Sequence, residues 1–137
     1  MSFLVDTNVL SEARKPRRAD LGVTSWLASS PPEQLYLSVL VIGEVRRGAD
    51  ALARRNPRQA AVFADWLLTV RRDYAERILP VTEAIGDQWG RMNAVRRLPA
   101  IDGLMAATAV VHGLTLVTRN ERAVDGSGAQ TFNPFSG

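Results

Sequence analysis

The chain has 137 residues, 46% hydrophobic and 23% charged, which fits one domain spanning 1–137 with a single core that folds without staples. It has no cysteine, which excludes disulfides, thiolate metal sites and cysteine nucleophiles, so any metal must be held by oxygen or by its one histidine. The net charge of +3 is small, but 16 of the 17 basic residues are arginine, whose planar fork suits phosphate, and nucleic acid is a reasonable partner.

Ser2 to Asp6 reads as a short buried strand reached without a basic leader. No apolar run approaches the roughly 20 residues that span a bilayer, so a cytoplasmic location and no membrane partner are expected. Thr7-Asn8 offers a cap for a helix running to about Ala13, which Pro16 cannot continue, and a second helix covers Ala19 to Ala28. Leu35 to Leu37 is the second strand, and Ser38 caps a helix that carries Glu44 and fades near Asn56-Pro57. A long helix follows from about Arg58 to Glu76, with Val62, Trp66, Leu67 and Val70 on one stripe. Ile78 to Val81 is the third strand and Glu83 to Arg97 is helical. Pro99 opens a helix running to His112, after which Gly113 suits a left-handed stop. Leu114 to Val117 is the fourth strand, and Gln130 to Phe132 supplies a fifth, at an edge.

Strands alternating with helices imply an α/β fold: a parallel sheet of four to five strands, flanked by helices on both faces through right-handed crossovers. Ligands of such sheets sit beyond the carboxyl ends of the strands. Three carboxylates stand alone in apolar surroundings and all fall on that rim. Asp6 closes Phe3-Leu4-Val5, Glu44 follows Ser38 to Gly43, and Asp102 is the only acid between Ala100 and Val117. A helix antiparallel to the following strand begins at that strand's carboxyl end, which brings Asp102 to the same rim. Gathered acids repel one another, and a shared proton or a divalent cation relieves the repulsion. An all-oxygen set selects magnesium or manganese, ions that keep waters for substrate phosphates to displace, which points to phosphodiester chemistry. Taken singly, Asp6 serves as a helix cap, Glu44 as a partner for Arg46 or Arg47, and Asp102 as a helix N-terminal charge. Finding all three on one rim favours a shared site.

Four segments in order complete the pattern. They are Phe3-Leu4-Val5-Asp6-Thr7-Asn8-Val9-Leu10, Ser38 through Gly48 around Glu44, Ile101-Asp102-Gly103-Leu104-Met105-Ala106-Ala107-Thr108-Ala109, and Leu114-Thr115-Leu116-Val117-Thr118-Arg119-Asn120. Together with the closing Asn133-Pro134-Phe135, they make the chain resemble the PIN-domain family over nearly its whole length, in particular the VapC-like and FitB-like toxins of bacterial toxin–antitoxin pairs. The resemblance implies a PIN-like domain and an Mg2+- or Mn2+-dependent endoribonuclease. Asp6 and Asp102 would be the principal metal ligands, and Glu44 the third acid, binding directly or through water. Thr7 and Asn8 match the family's strand-end turn and Thr118 the polar residue of the opposite lip.

The resemblance also implies an RNA substrate, a small cognate antitoxin and a homodimer. An antitoxin would present arginine to the acids and an amphipathic segment to an apolar groove between helices. The chain departs from the family at the fourth acid: Asn120 stands at one position where relatives carry aspartate, and Ala123-Val124 at the other. Arg119 flanks Thr118 and is the best phosphate candidate. Asn8, Thr118, Arg119 and Asn120 are thus the expected substrate-side residues. The competing reading, which the missing acid supports, is a catalytically silent RNA-binding or regulatory module.

Overall fold

Phe3–Val5 forms β1 in the computed structural model, which describes residues 1–136. Helices α1 (Thr7–Ala13) and α2 (Leu21–Ser29) lead to β2 (Leu35–Ser38), and α3 (Val39–Leu52) and α4 (Pro57–Asp73) lead to β3 (Ile78–Leu79). Then come α5 (Glu83–Val95), α6 (Ala100–His112), β4 (Thr115–Val117) and β5 (Thr131–Phe132). Two short 3-10 turns, Pro32–Gln34 and Glu121–Val124, precede β2 and β5 and were not anticipated from periodicity. The sheet has five strands in the order β3-β2-β1-β4-β5, all neighbours parallel, so the fifth strand is the expected edge.

The chain steps outward from β1 to β2 and β3, then crosses back to β4 on the other side of β1. With right-handed crossovers this reversal sends α1 to α4 to one face and α5 and α6 to the other. The switch in direction falls between β1 and β4, where Leu4 pairs with Leu116 and Val5 with Val117. Their carboxyl ends open the crevice in which ligands of such sheets sit.

Both faces of the central strands are sealed, which explains why β1 and β4 are continuous apolar runs rather than alternating ones. Leu4, Val5, Leu37, Leu116 and Val117 are buried together with Val9, Val41, Leu67, Ile85 and Met105 from the covering helices. Helix α6 comes close to the sheet through a buried run of small residues, Ala106, Ala107 and Ala109. Gly103 admits the α5 contact, since a Cβ there would lie 3.2 Å from the Trp89 Nε1. Gly113 ends α6 at φ +66, the left-handed conformation that glycine adopts without a Cβ clash.

Most elements fall within a residue or two of expectation; the departures have local causes. In α4 the buried stripe is Ala60, Leu67 and Val70, while Val62 is 49% exposed, because at about 100° per residue it lies well around the helix from Leu67. Asp6 caps α1, accepting from the Thr7 N–H, whereas Thr7 and Asn8 are already inside the helix. The Asp6 N–H still belongs to the sheet, donating to the Val117 carbonyl at 2.9 Å, so the strand-to-helix change happens at this one residue. Among the described residues, no helix is long and apolar enough to cross a membrane.

Candidate active site

Asp6 is held at the end of β1 by three donors. The Thr7 N–H reaches its Oδ1 at 2.7 Å, and its Oδ2 accepts from the Thr118 hydroxyl at 2.7 Å and the Asn8 amide at 3.3 Å. Thr118 ends β4, so the bond from Thr118 to Asp6 ties the two lips of the switch-point crevice across 112 positions of sequence. Asn8 bridges the same gap: its Nδ2 also lies 3.3 Å from the Thr118 Oγ1, and its Oδ1 accepts from the Arg119 N–H at 3.2 Å. The Asn120 N–H closes the network onto the Thr118 Oγ1 at 3.1 Å. Residues 6, 8, 118, 119 and 120, all singled out from sequence, thus form one connected cluster.

A carboxylate with only 6% of its surface exposed has lost most of its hydration. Burial accordingly holds the Asp6 carboxyl above the usual carboxylate range; the Thr118 hydroxyl and Thr7 N–H pull it down, and the charges of Asp102 and Glu44 push it up again. Asp102, in the first turn of α6, is likewise raised, first by burial and then by Glu44. The charge of Glu44 thus acts on both Asp6 and Asp102. Glu44 is anchored from the other side: the Thr7 hydroxyl donates to its Oε1 at 2.5 Å. Helix α3 carries it inward because Ser38, at the end of β2, caps the helix by accepting from the Leu40 N–H at 3.0 Å.

Glu44 forms no ion pair with Arg46 or Arg47 among the described residues, and Arg46 pairs instead with Asp50 at 3.6 Å, one turn along the exposed side of α3. Asp6 does cap its helix, with only one of its two oxygens. Of the two nearby acids that could stand in for the missing fourth, Glu121 and Asp125, the first is turned away from the lip. The Glu121 Oε2 accepts from the Thr131 hydroxyl at 2.6 Å, which directs it to β5, and Asn120 meets Thr118 through its backbone. Among the described residues, no group of three or more Asp, Glu or His side chains is arranged to hold a metal ion unaided. The donor chemistry still fits a hard divalent ion, because magnesium is commonly held by one or two carboxylates with water and substrate phosphate filling the remaining positions.

Sequence reasoning missed Thr7 as the residue that holds Glu44, and the way the C-terminal tail is fixed. The Phe135 ring lies under the Arg119 guanidinium, 4.6 Å from centroid to Cζ. The tail itself is clasped by Asp20, which caps α2 through the Val23 N–H and accepts from the Ser136 N–H and hydroxyl, the latter at 2.8 Å. Gly22 lets the tail pass, since a Cβ there would lie 2.3 Å from the Pro134 carbonyl oxygen. The Asn133-Pro134-Phe135 motif was the available signal, and the cation–π contact gives it a role in steadying Arg119.

Comparison with known proteins agrees with this architecture. The PIN domain model matches residues 3–126. The toxin FitB of Neisseria gonorrhoeae is 31% identical over 97% of this chain and 98% of its own length. The VapC ribonuclease Y4jK of Sinorhizobium fredii is 30% identical, over 97% of each. Among solved structures, that of FitAcB from Neisseria gonorrhoeae superposes with a TM-score of 0.88 at 32% identity, covering 96% of this chain and 97% of that one. A toxin–antitoxin complex from Klebsiella pneumoniae gives 0.68 at 25% identity, over 98% of each chain. With its fold, its order of motifs and these relatives in agreement, the chain belongs to the PIN-domain family.

Proposed function

We propose that this chain is the toxin of a toxin–antitoxin pair, a single-domain endoribonuclease that depends on Mg2+ or Mn2+. The observation that carries the reading is the buried Asp6 carboxylate at the β1–β4 crevice, held by Thr118 and Asn8, with Glu44 tied to the same turn by the Thr7 hydroxyl. The relatives named toxin and ribonuclease support it. Asp6 and Asp102 hold the ion, and Glu44 joins directly or through water. When bound, the cation supplies Lewis acidity: it makes water a stronger nucleophile and offsets charge on the attacked phosphate.

The chain's own residues do the positioning. The Thr118 hydroxyl and Thr7 N–H favour the ionised form of Asp6 against its burial and fix the direction of both oxygens. Thr7, on α1, holds the carboxylate of Glu44 on α3. Arg119, steadied by Phe135 and tied through its N–H to Asn8, meets the RNA phosphates at the lip, with Asn120 beside it.

The partner is a small antitoxin, a reading supported by the toxin–antitoxin complexes among the similar structures. An apolar groove of about 550 Å3 between α1, α2 and α4, with Leu10, Leu27, Trp66 and Val70 in its lining, suits an amphipathic segment. A homodimer belongs to the same proposal, and sedimentation of the purified chain tests it.

Metal-dependent melting tests the site. Mn2+ should raise the melting temperature of the wild type, and Asp6→Asn with Asp102→Asn should abolish that gain while stabilising the protein in chelator, because the repulsion goes with the charge. A melting curve indifferent to metal and mutation favours the silent module, the reading that Asn120 in place of an acid supports.

A further inference from the structure

Arg14 is the C-terminal cap residue of α1 and lines the apolar groove between α1, α2 and α4. Its guanidinium carbon lies 4.1 Å from the centroid of the Phe63 ring and 5.6 Å from that of Trp66. Its Nε is out of reach of solvent and has no hydrogen-bond partner. The other charged groups of the groove are engaged. Arg77 donates through Nε to the Leu35 carbonyl and through a terminal nitrogen to the Asp73 carbonyl, both at 2.9 Å. The Asp73 carboxylate is paired with Arg72 at 3.3 Å.

A guanidinium set against aromatic walls, facing ring quadrupoles but no carboxylate, has lost hydration at its Nε without recovering a counter-charge there. An apolar helix seated over it would complete that desolvation and be penalised for doing so. A segment carrying one carboxylate would instead form a charge-assisted, bidentate pair in low dielectric. We propose that Arg14 is a specificity residue of the groove: the segment of the antitoxin that docks there must carry one Asp or Glu among its apolar anchors. The inference rests on the toxin–antitoxin reading and adds the chemistry of its partner. It also sets an order along the chain. Helix α1 runs from the acidic site at Asp6 to Arg14, roughly 12 Å at 1.5 Å per residue. A segment pairing its acid with Arg14 would have to follow α1 over that length to reach the site.

The test is selection of phage-displayed random peptides of about 20 residues on the purified chain and on Arg14→Met, Arg14→Lys and Arg14→Glu, each first verified as folded by its melting curve. Wild type and Arg14→Lys should enrich peptides with one acid at a fixed offset from apolar residues. Arg14→Met should retain the apolar pattern without the acid, and Arg14→Glu should select a base at that offset. Changing the acid of a selected peptide to its amide should weaken wild-type binding about tenfold or more and leave Arg14→Met binding unchanged. Acid-free peptides dominating on the wild type, or an acid preference that survives Arg14→Met, would overturn the assignment.

Thr69→Trp, which adds bulk at an exposed position of the groove, separates the failures. If selected peptides lack the acid yet lose binding to this variant, the groove docks peptides and only the role of Arg14 falls. If no selected peptide is sensitive to it, docking in the groove falls as well. If the purified chain is a dimer that Thr69→Trp dissociates, the groove belongs to a second copy, and that outcome also overturns the proposal. RNA cleavage by the wild type tests the enzymatic reading independently of all these outcomes.

Discussion

Thr118→Val removes one oxygen, keeps the side chain's shape and takes away the hydroxyl on which the site network converges. That hydroxyl donates to the Asp6 Oδ2 at 2.7 Å and accepts from the Asn120 N–H at 3.1 Å, and Thr118 is itself only 2% exposed. A buried hydrogen bond to a charged group contributes about 1.5–3 kcal/mol, while Asn120 is exposed and its N–H turns to water at little cost. The expected loss near neutral pH is therefore about 2 kcal/mol, or roughly 6 °C in melting temperature for a domain of this size. Urea unfolding in chelator, with melting as a second measure, gives the value.

The pH dependence has a definite sign. The folded Asp6 binds its proton more tightly than the unfolded one, whose reference value is 3.8. Its contribution to stability is thus fully present below that value and is lost as pH rises through the folded pKa. Without Thr118 that folded pKa moves higher still, so the variant's deficit should be largest near neutral pH and shrink on acidification as the carboxyl protonates. A Thr118→Val protein with unchanged stability, or with a deficit that grows on acidification, would refute the claim that this hydroxyl supports an ionised Asp6.

Gly22→Ala places a Cβ against the Pro134 carbonyl, a backbone atom that cannot rotate away, so it should lose about 1–3 kcal/mol in urea unfolding; an unchanged midpoint would mean that the tail is not clasped there. Arg119→Ala should weaken RNA binding and reduce its salt slope by about one, whereas Arg17→Ala, on the exposed loop after α1, should do much less. Equal losses from the two changes would remove Arg119 from the RNA-facing lip.

The acids were legible because an ionised group in an apolar run is anomalous on its own, and because parallel α/β topology sends strand ends and helix starts to one rim. Asp6 and Asp102 needed nothing more than Phe3-Leu4-Val5 before the one and the run from Gly103 to Val110 after the other. What was not legible depends on distant partners. The choice of Asp6 over Thr7 or Asn8 as the cap is decided by the bond from the Asp6 N–H to Val117, and the anchoring of Glu44 by Thr7 joins two helices. Neither leaves a local pattern. Val62 was misassigned because it lies at the edge of the apolar stripe, and only packing decides which edge stays covered. Arg14 carries no local signal of its setting. It meets the Phe63 and Trp66 rings of α4, some fifty residues away in sequence.

The central claim is that Asp6, Asp102 and Glu44 act as one metal-dependent ribonuclease site, and cleavage of a defined single-stranded RNA by the purified chain in Mn2+ tests it most directly. Asp102→Asn preserves size and hydrogen-bonding capacity while removing the charge, so it provides the comparison. The account predicts cleavage by the wild type that chelator abolishes, and a loss of orders of magnitude in a folded Asp102→Asn protein. A wild type that cuts no RNA with either metal, or an Asp102→Asn variant that cuts as fast, would contradict it.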